Sequence, residues 1–254
     1  MNRSDNPVEN LFFALIGAIF GSFINVVIYR LPRKMQGEAI SLSWPPSFCP
    51  HCRTQIKAHD NVPLLGWLWL RGRSRCCHKR ISVRYPAIEA LMALLFAAVI
   101  AHDGVNLAAL LTLALLSLLV AMFFIDIDHM LLPDVLTYPF MLLALLCAWC
   151  RQPLLATLQE HLLAAAVGFS ILWLLNYGFA RWRGCEGIGG GDMKLFAGIG
   201  AWHGLPALFD IMLIAALIGL ASGLLLFRAA RQQPFPFGPA IILACIGWAM
   251  VYSQ

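Results

Sequence analysis

Charge is what this chain has least of. Asp, Glu, Lys and Arg make up 12% of its 254 residues, about half of what a soluble globular chain carries. One water-soluble core under a charged shell is therefore excluded. With 60% hydrophobic residues and a mean hydropathy of +0.75, a bilayer is the natural solvent. A cleavable leader is not expected either: the opening MNRSDNPVEN is not basic, and no small-residue cleavage site follows the first apolar run. The GxxxxGK[ST] phosphate loop is missing, which removes the usual nucleotide-hydrolase reading. Neither an internal repeat nor a low-complexity tract is visible.

What is present is a series of apolar runs, near 10–29, 86–101, 106–125, 135–150, 157–180, 193–203, 205–227 and 237–252. They predict an all-α polytopic membrane protein with about eight transmembrane helices, although several runs are shorter than the ~20 residues of a simple span. The basic residues set the orientation. Eleven lie between Arg30 and Arg84, and threading eight spans adds Arg181, Arg183, Lys194, Arg228 and Arg231 to the same side. Only Arg3 and Arg151 fall opposite. This asymmetry makes the 30–85 loop cytoplasmic and both termini periplasmic. The net charge of +5 is then a topology signal, and no nucleic-acid partner is needed to explain it. The expected division is a first transmembrane helix over 1–29, a small cytoplasmic module over 30–85 and a transmembrane domain over 86–254.

Eight cysteines are present. Cys147, Cys150, Cys185 and Cys245 lie in or beside apolar segments and read as small hydrophobes. The other four, Cys49, Cys52, Cys76 and Cys77, cluster in the polar loop with three histidines. A module that small usually needs a metal or another staple.

Two carboxylates stand out. Asp126 follows the apolar run Val120 to Ile125 and begins Asp126-Ile127-Asp128-His129. An ionisable group at a membrane helix end is a functional candidate by default. Asp134, beside Pro133, suits a helix N-terminus. Asp192 closes the run Gly187-Ile188-Gly189-Gly190-Gly191-Asp192, whose glycines allow strained or closely approached backbone. The threading puts Asp126 and Asp192 at similar depth on one side. Paired carboxyls that share a proton can act as base and hydrogen-bond donor. Helix capping is the plainer reading of each Asp alone, and transporters also use intramembrane carboxylates. A membrane scaffold without chemistry is a third reading.

The longer strings carry a resemblance. Glu186 through Leu195 resembles the EGxGxGDxKL motif of bacterial prepilin peptidases, the type IV leader peptidases, and contains the GxGD signature of intramembrane aspartyl proteases. Gly21 through Pro32 resembles their GSFLNVVIxRLP opening, Asp60 through Leu65 their DNIPLL and Arg84-Tyr85-Pro86 with Glu89 their RYPxxE. Ile125 through Asp134 resembles IDxDxxxLLPD, and Phe237-Gly238-Pro239 the late FGP.

The resemblance implies Asp126 and Asp192 as the catalytic pair, with Gly189, Gly191, Lys194, Asn25 and Glu89 as candidate substrate-binding residues. Interhelical hydrogen bonding is the plainer role for Asn25 and Glu89. It implies cleavage after glycine of type IV prepilins or type II secretion pseudopilins at the bacterial inner membrane. It further implies N-methylation of the new terminus by S-adenosylmethionine. A structural zinc on two CxxC pairs is also implied. Here the second pair would begin at Ser74, so the fourth ligand beside Cys49, Cys52 and Cys77 falls to the adjacent Cys76, with His51, His59 and His78 also available. Substrate and membrane lipid are the expected partners. The GxxxG spacings Gly17/Gly21 and Gly219/Gly223 suggest close helix contacts and leave oligomerisation open.

Overall fold

The structure is a computed structural model that describes residues 6–152, 155–185, 187–226 and 236–252. Arg3, Glu186, Arg228 and Arg231 lie outside the described residues. The chain forms two compact units, Met1–Ser117 and Leu118–Gln254. Among the described residues there is no β-strand, only two isolated bridges.

In the first unit, α1 (Pro7–Met35) begins where Asn6 Oδ1 accepts from Val8 N–H, with Pro7 in the first turn. It packs against α3 (Arg84–Asp103). A Cβ on Gly17 would lie 2.5 Å from Met92 O, and one on Gly21 would lie 2.6 Å from Glu89 Cα. The first GxxxG spacing therefore marks contact within the chain, with the two helices antiparallel. Asn25 Nδ2 adds a bond to Tyr85 O at 3.1 Å. Six large apolar side chains of α1, Leu11, Phe12, Leu15, Ile19, Phe20 and Phe23, are exposed, as a lipid-facing surface requires.

The module between these helices has little regular structure: a 3-10 turn (Ala58–Asn61) and α2 (Leu65–Trp69). Polar anchors hold it instead. The buried Arg30 donates to the carbonyls of Ser41, Leu42 and Pro46 at 3.0, 3.4 and 3.4 Å. Glu89 on α3 accepts Leu64 N–H at 2.7 Å, and Arg75 grips both oxygens of Asp60 at 2.8 and 2.7 Å. The sequence shows no internal repeat, but the backbone has one. Residues 47–56 and 72–81 form matching loops. In each, the second residue bridges the ninth, Phe48 to Gln55 and Arg73 to Arg80. Cys49 N–H donates to Thr54 O as Ser74 N–H does to Lys79 O, both at 2.9 Å. Arg53 and His78 take the same left-handed φ, 57° and 55°.

α4 (Leu107–His129) carries the chain into the second unit. There follow α5 (Asp134–Arg151), α6 (Leu155–Arg183), α7 (Gly190–His203), α8 (Leu205–Leu226) and α9 (Gly238–Tyr252). Each of the eight apolar runs is a helix. Six are long and apolar enough to cross a membrane. α7 and α9, with 14 and 15 residues, reach only about 21 and 22 Å against a hydrocarbon core of about 30 Å.

Close contacts fix how the second unit is threaded. A Cβ on Gly200 would meet Ala164 O at 2.6 Å and one on Gly168 would meet Phe196 O at 3.1 Å, so α6 and α7 are antiparallel. Gly191 faces Leu132 and Gly198 faces Phe140, so α5 and α7 run parallel. Trp248 Nε1 donates to Asp210 near the start of α8, while Gly238 at the start of α9 lies against Asp126.

Candidate active site

The two sequence-predicted carboxylates meet in the second unit. α4 continues to His129, so Asp126 sits one turn inside the helix end. It is 5% exposed, whereas Asp128 on the same turn faces out. The first Asp of the motif is thus the interior one. Gly238 makes this possible from the other side: a Cβ there would fall 2.7 Å from Asp126 Oδ2. The Gly238 backbone, at the positive end of α9, faces the Asp126 carboxylate and favours its charged form.

Asp192 occupies the third position of α7, whose N-cap Gly189 has no side chain to offer. The carboxylate reaches back to the Gly189 backbone, as in one half of a capping box. Capping therefore describes one oxygen of Asp192. The other, Oδ1, is buried without a hydrogen-bond partner, as is Asp126 Oδ2. The charge of Asp126 acts on Asp192, so the two groups share one electrostatic environment.

The glycine run serves this placement. A Cβ on Gly191 would come 2.6 Å from Leu132 Cβ, and one on Gly189 would come 3.3 Å from Asp192 Oδ2. Both positions require closeness. Asn176 on α6 accepts the N–H groups of Gly187 and Ile188 at 2.9 Å each and pins the loop. In the sequence Asn176 is simply a polar residue inside the apolar run 157–180. Its three-dimensional role depends on the antiparallel pairing with α7, which no local pattern reveals. Lys194 bonds Asp134 at 2.6 Å and lies over the Tyr138 ring, tying α7 to α5.

The remaining candidates lie in the first unit. Asn25 and Glu89 line a cavity of about 530 Å³ with Tyr29, Tyr85, Asp60 and Arg30. Nearby, the sulfurs of Cys49, Cys52, Cys76 and Cys77 all lie within 4.8 Å of one another and could hold a metal ion. Contacts with Thr54 and Cys76 lower the Cys52 thiol to about 6, while the contact with Cys52 raises Cys76 to about 12. The cluster thus shares its protons unevenly, as thiols crowded at one point do. Cys147 and Cys245 are fully buried, consistent with the packing role read from sequence.

A helical membrane protein with two buried, incompletely bonded carboxylates on different helices, close enough for one to act on the other, has the layout of an intramembrane aspartyl protease. Comparison with known proteins narrows this. Residues 15–102 match the Bacterial Peptidase A24 N-terminal domain and residues 113–224 match the Type IV leader peptidase family; the chain belongs to that family. The "Prepilin leader peptidase/N-methyltransferase" of Dickeya chrysanthemi is 41% identical over 252 residues, covering 90% of this chain and 88% of the relative. Those of Aeromonas hydrophila (41%, covering 94% and 89%) and Neisseria gonorrhoeae (37%, covering 92% and 87%) carry the same name. No solved structure matches the chain.

Proposed function

We propose that this protein is a prepilin leader peptidase of a bacterial inner membrane, and that it N-methylates the terminus it releases. The observation that carries the proteolytic reading is the juxtaposition of Asp126 and Asp192, each with one buried oxygen lacking a partner. One carboxylate takes a proton from a water, whose oxygen attacks the carbonyl carbon of the leader's last residue, the glycine. The other, protonated, donates to the carbonyl oxygen. Collapse of the tetrahedral intermediate returns a proton to the leaving amine. The N-terminus of α9 adds a fixed positive dipole beside the charge that develops.

Gly189, Gly191 and Lys194 shape this site through packing and the Asp134 tie, and Asn176 aligns its loop. The substrates are type IV prepilins or type II secretion pseudopilins, with the leader and the 30–85 module on the cytoplasmic side and both termini periplasmic. Within the second unit, Arg181 and Arg183 close α6 at its end nearer Asp126 and Arg151 closes α5 at the opposite end, which supports that orientation.

The test is cleavage of a tagged prepilin in membranes. Asp126→Ala and Asp192→Ala should each lower the rate by at least ~10³-fold. A variant that keeps a substantial rate would remove that residue from the pair. Solute flux in proteoliposomes without any cleavage product would point to a transporter.

The methylating activity is assigned to the first unit. S-adenosylmethionine supplies an electrophilic methyl group on a sulfonium centre. What the cavity offers a cationic guest is Glu89, buried without an ion pair among the described residues; of the basic residues that also line it, Arg30 and Arg75 are held by other partners, and Lys57, Lys79 and Arg80 complete the lining. Glu89 and Asn25 would hold the cation among the Tyr29 and Tyr85 rings. Asp126→Ala supplied with an already cleaved substrate should therefore still incorporate labelled methyl groups, whereas Glu89→Gln should not. Failure of Asp126→Ala to methylate would tie the two activities to one site.

The four thiols are assigned to a structural zinc. Thiolates about 2.3 Å from a tetrahedral zinc lie about 3.8 Å apart, and Cys49–Cys77 at 3.7 Å and Cys52–Cys76 at 3.1 Å approach that spacing.

A further inference from the structure

Given that four thiols of the module hold a zinc, as proposed for its function, its two matching loops bear on which thiols those are. Superposed in register, residues 47–56 (SFCPHCRTQI) and 72–81 (GRSRCCHKRI) are 25 positions apart. They agree in their bridges, their hydrogen bonds and their left-handed residue. The bond Arg53 N–H to Cys49 O has its counterpart in His78 N–H to Ser74 O, both at 2.9 Å. Ile56 N–H to Ser47 O likewise corresponds to Ile81 N–H to Gly72 O. Each loop thus presents two inward positions, the third and the sixth. In the first loop these are Cys49 and Cys52. In the second they are Ser74 and Cys77.

The serine stands in a ligand position. Its Oγ lies 3.1 Å from Cys77 Sγ, turned toward the cluster as the thiol of a cysteine would be. A neutral hydroxyl is a poor ligand for zinc beside thiolates. The missing sulfur comes from one residue before Cys77. Cys76 is the counterpart of His51, and His51 does not join the cluster. Cys76 does, with its sulfur 3.1 Å from Cys52 Sγ.

We infer that this module is a two-loop zinc site whose fourth thiolate has moved from position 74 to Cys76, and that Ser74 hydrogen-bonds the Cys77 thiolate from the vacated position. Zinc bound by four thiolates carries a net negative charge, which a hydroxyl donor offsets. Such outer contacts typically change metal affinity by 10–100-fold. The arrangement has a specific genetic consequence. Cysteine at 74 completes the regular pattern and makes Cys76 unnecessary.

The experiment measures zinc per chain in the detergent-purified full-length protein, alongside the charge-transfer absorption after cobalt exchange. Wild type should hold one zinc and give a four-thiolate cobalt spectrum. Cys76→Ser should lose most of the zinc, and the double variant Ser74→Cys with Cys76→Ser should recover both metal and spectrum. Recovery shows that loss in the single variant is not mere misfolding. Ser74→Ala should keep the stoichiometry and yield zinc to a chelator about tenfold more readily. His51→Ala should change nothing. Full zinc with an unchanged cobalt spectrum in Cys76→Ser, or zinc lost from His51→Ala, would overturn the assignment of Cys76. No recovery in the double variant would overturn the equivalence of the loops. Absence of zinc from wild type would instead overturn the zinc reading itself.

Discussion

Single atoms decide much of the candidate site, and Gly191 shows how. Its missing Cβ lets α7 start against Leu132, 2.6 Å from where that atom would be. Gly191→Ala forces the start of α7 away from α5, and with it Asp192 one residue on. Overpacking of this kind costs about 1–3 kcal/mol, but displacement of a reacting group by an ångström costs far more in rate, on the order of 100-fold. The variant should therefore remain folded and lose most cleavage. Adding Leu132→Gly, which removes the Cβ that the new methyl group would strike, should restore part of the rate. No rescue in the double variant would place the role of Gly191 elsewhere.

At this scale the sequence was legible in type and not in detail. The motif marked Asp126 and Asp192. Only the fold separates the buried Asp126 from the exposed Asp128, or the capping oxygen of Asp192 from its free one. Gly238 against Asp126 joins residues more than a hundred positions apart, and only the family resemblance had marked that glycine.

Among elements, the α6–α7 pair matters most. Its antiparallel register puts Asn176 opposite the loop that precedes Asp192. Asn176→Leu leaves two backbone N–H groups without their acceptor at a partly open position, where water can replace it. The stability change should be about 1 kcal/mol or less per bond, while the loop loses its register. Cleavage should fall about tenfold or more with little change in thermal unfolding; equal rates in the two proteins would deny Asn176 a positioning role. Lys194→Met supplies the contrast. The Lys194–Asp134 pair is partly exposed, and such pairs contribute little, so its loss should cost less rate than that of Asn176.

The eight helices outside the module are readable because each is an apolar run; the short α2 (Leu65–Trp69) is in none of them. The ends of the eight are not: α1 passes Pro32 to Met35, and α4 includes Asp126 and His129. The paired loops of the module are not legible in the sequence, because their likeness is in hydrogen bonds. Only Cys52/Cys77 and Ile56/Ile81 agree in residue type.

For the molecule, the lengths of α7 and α9 carry the consequence. Both begin at the paired carboxylates, and both are too short to cross a full hydrocarbon core. The register of α6 against α7 puts Asp192 level with about Leu172, with α6 continuing to Arg183. At 1.5 Å per residue the carboxylates then lie about 16 Å below the basic end of α6. A peptide bond must be brought down to that level to be cut. An apolar helix following the leader does this by partitioning into the bilayer, which fixes the depth of the junction without cost to the enzyme.

Two substrates with the same leader and junction should therefore differ sharply. One keeps its apolar segment, and the other has that segment replaced by a polar helix of equal length. In proteoliposomes, kcat/KM for the polar one should fall by at least ~100-fold, an effect of lost positioning at the site. Similar values for both would mean that the carboxylates are open to substrate from water, and that the short helices have another explanation.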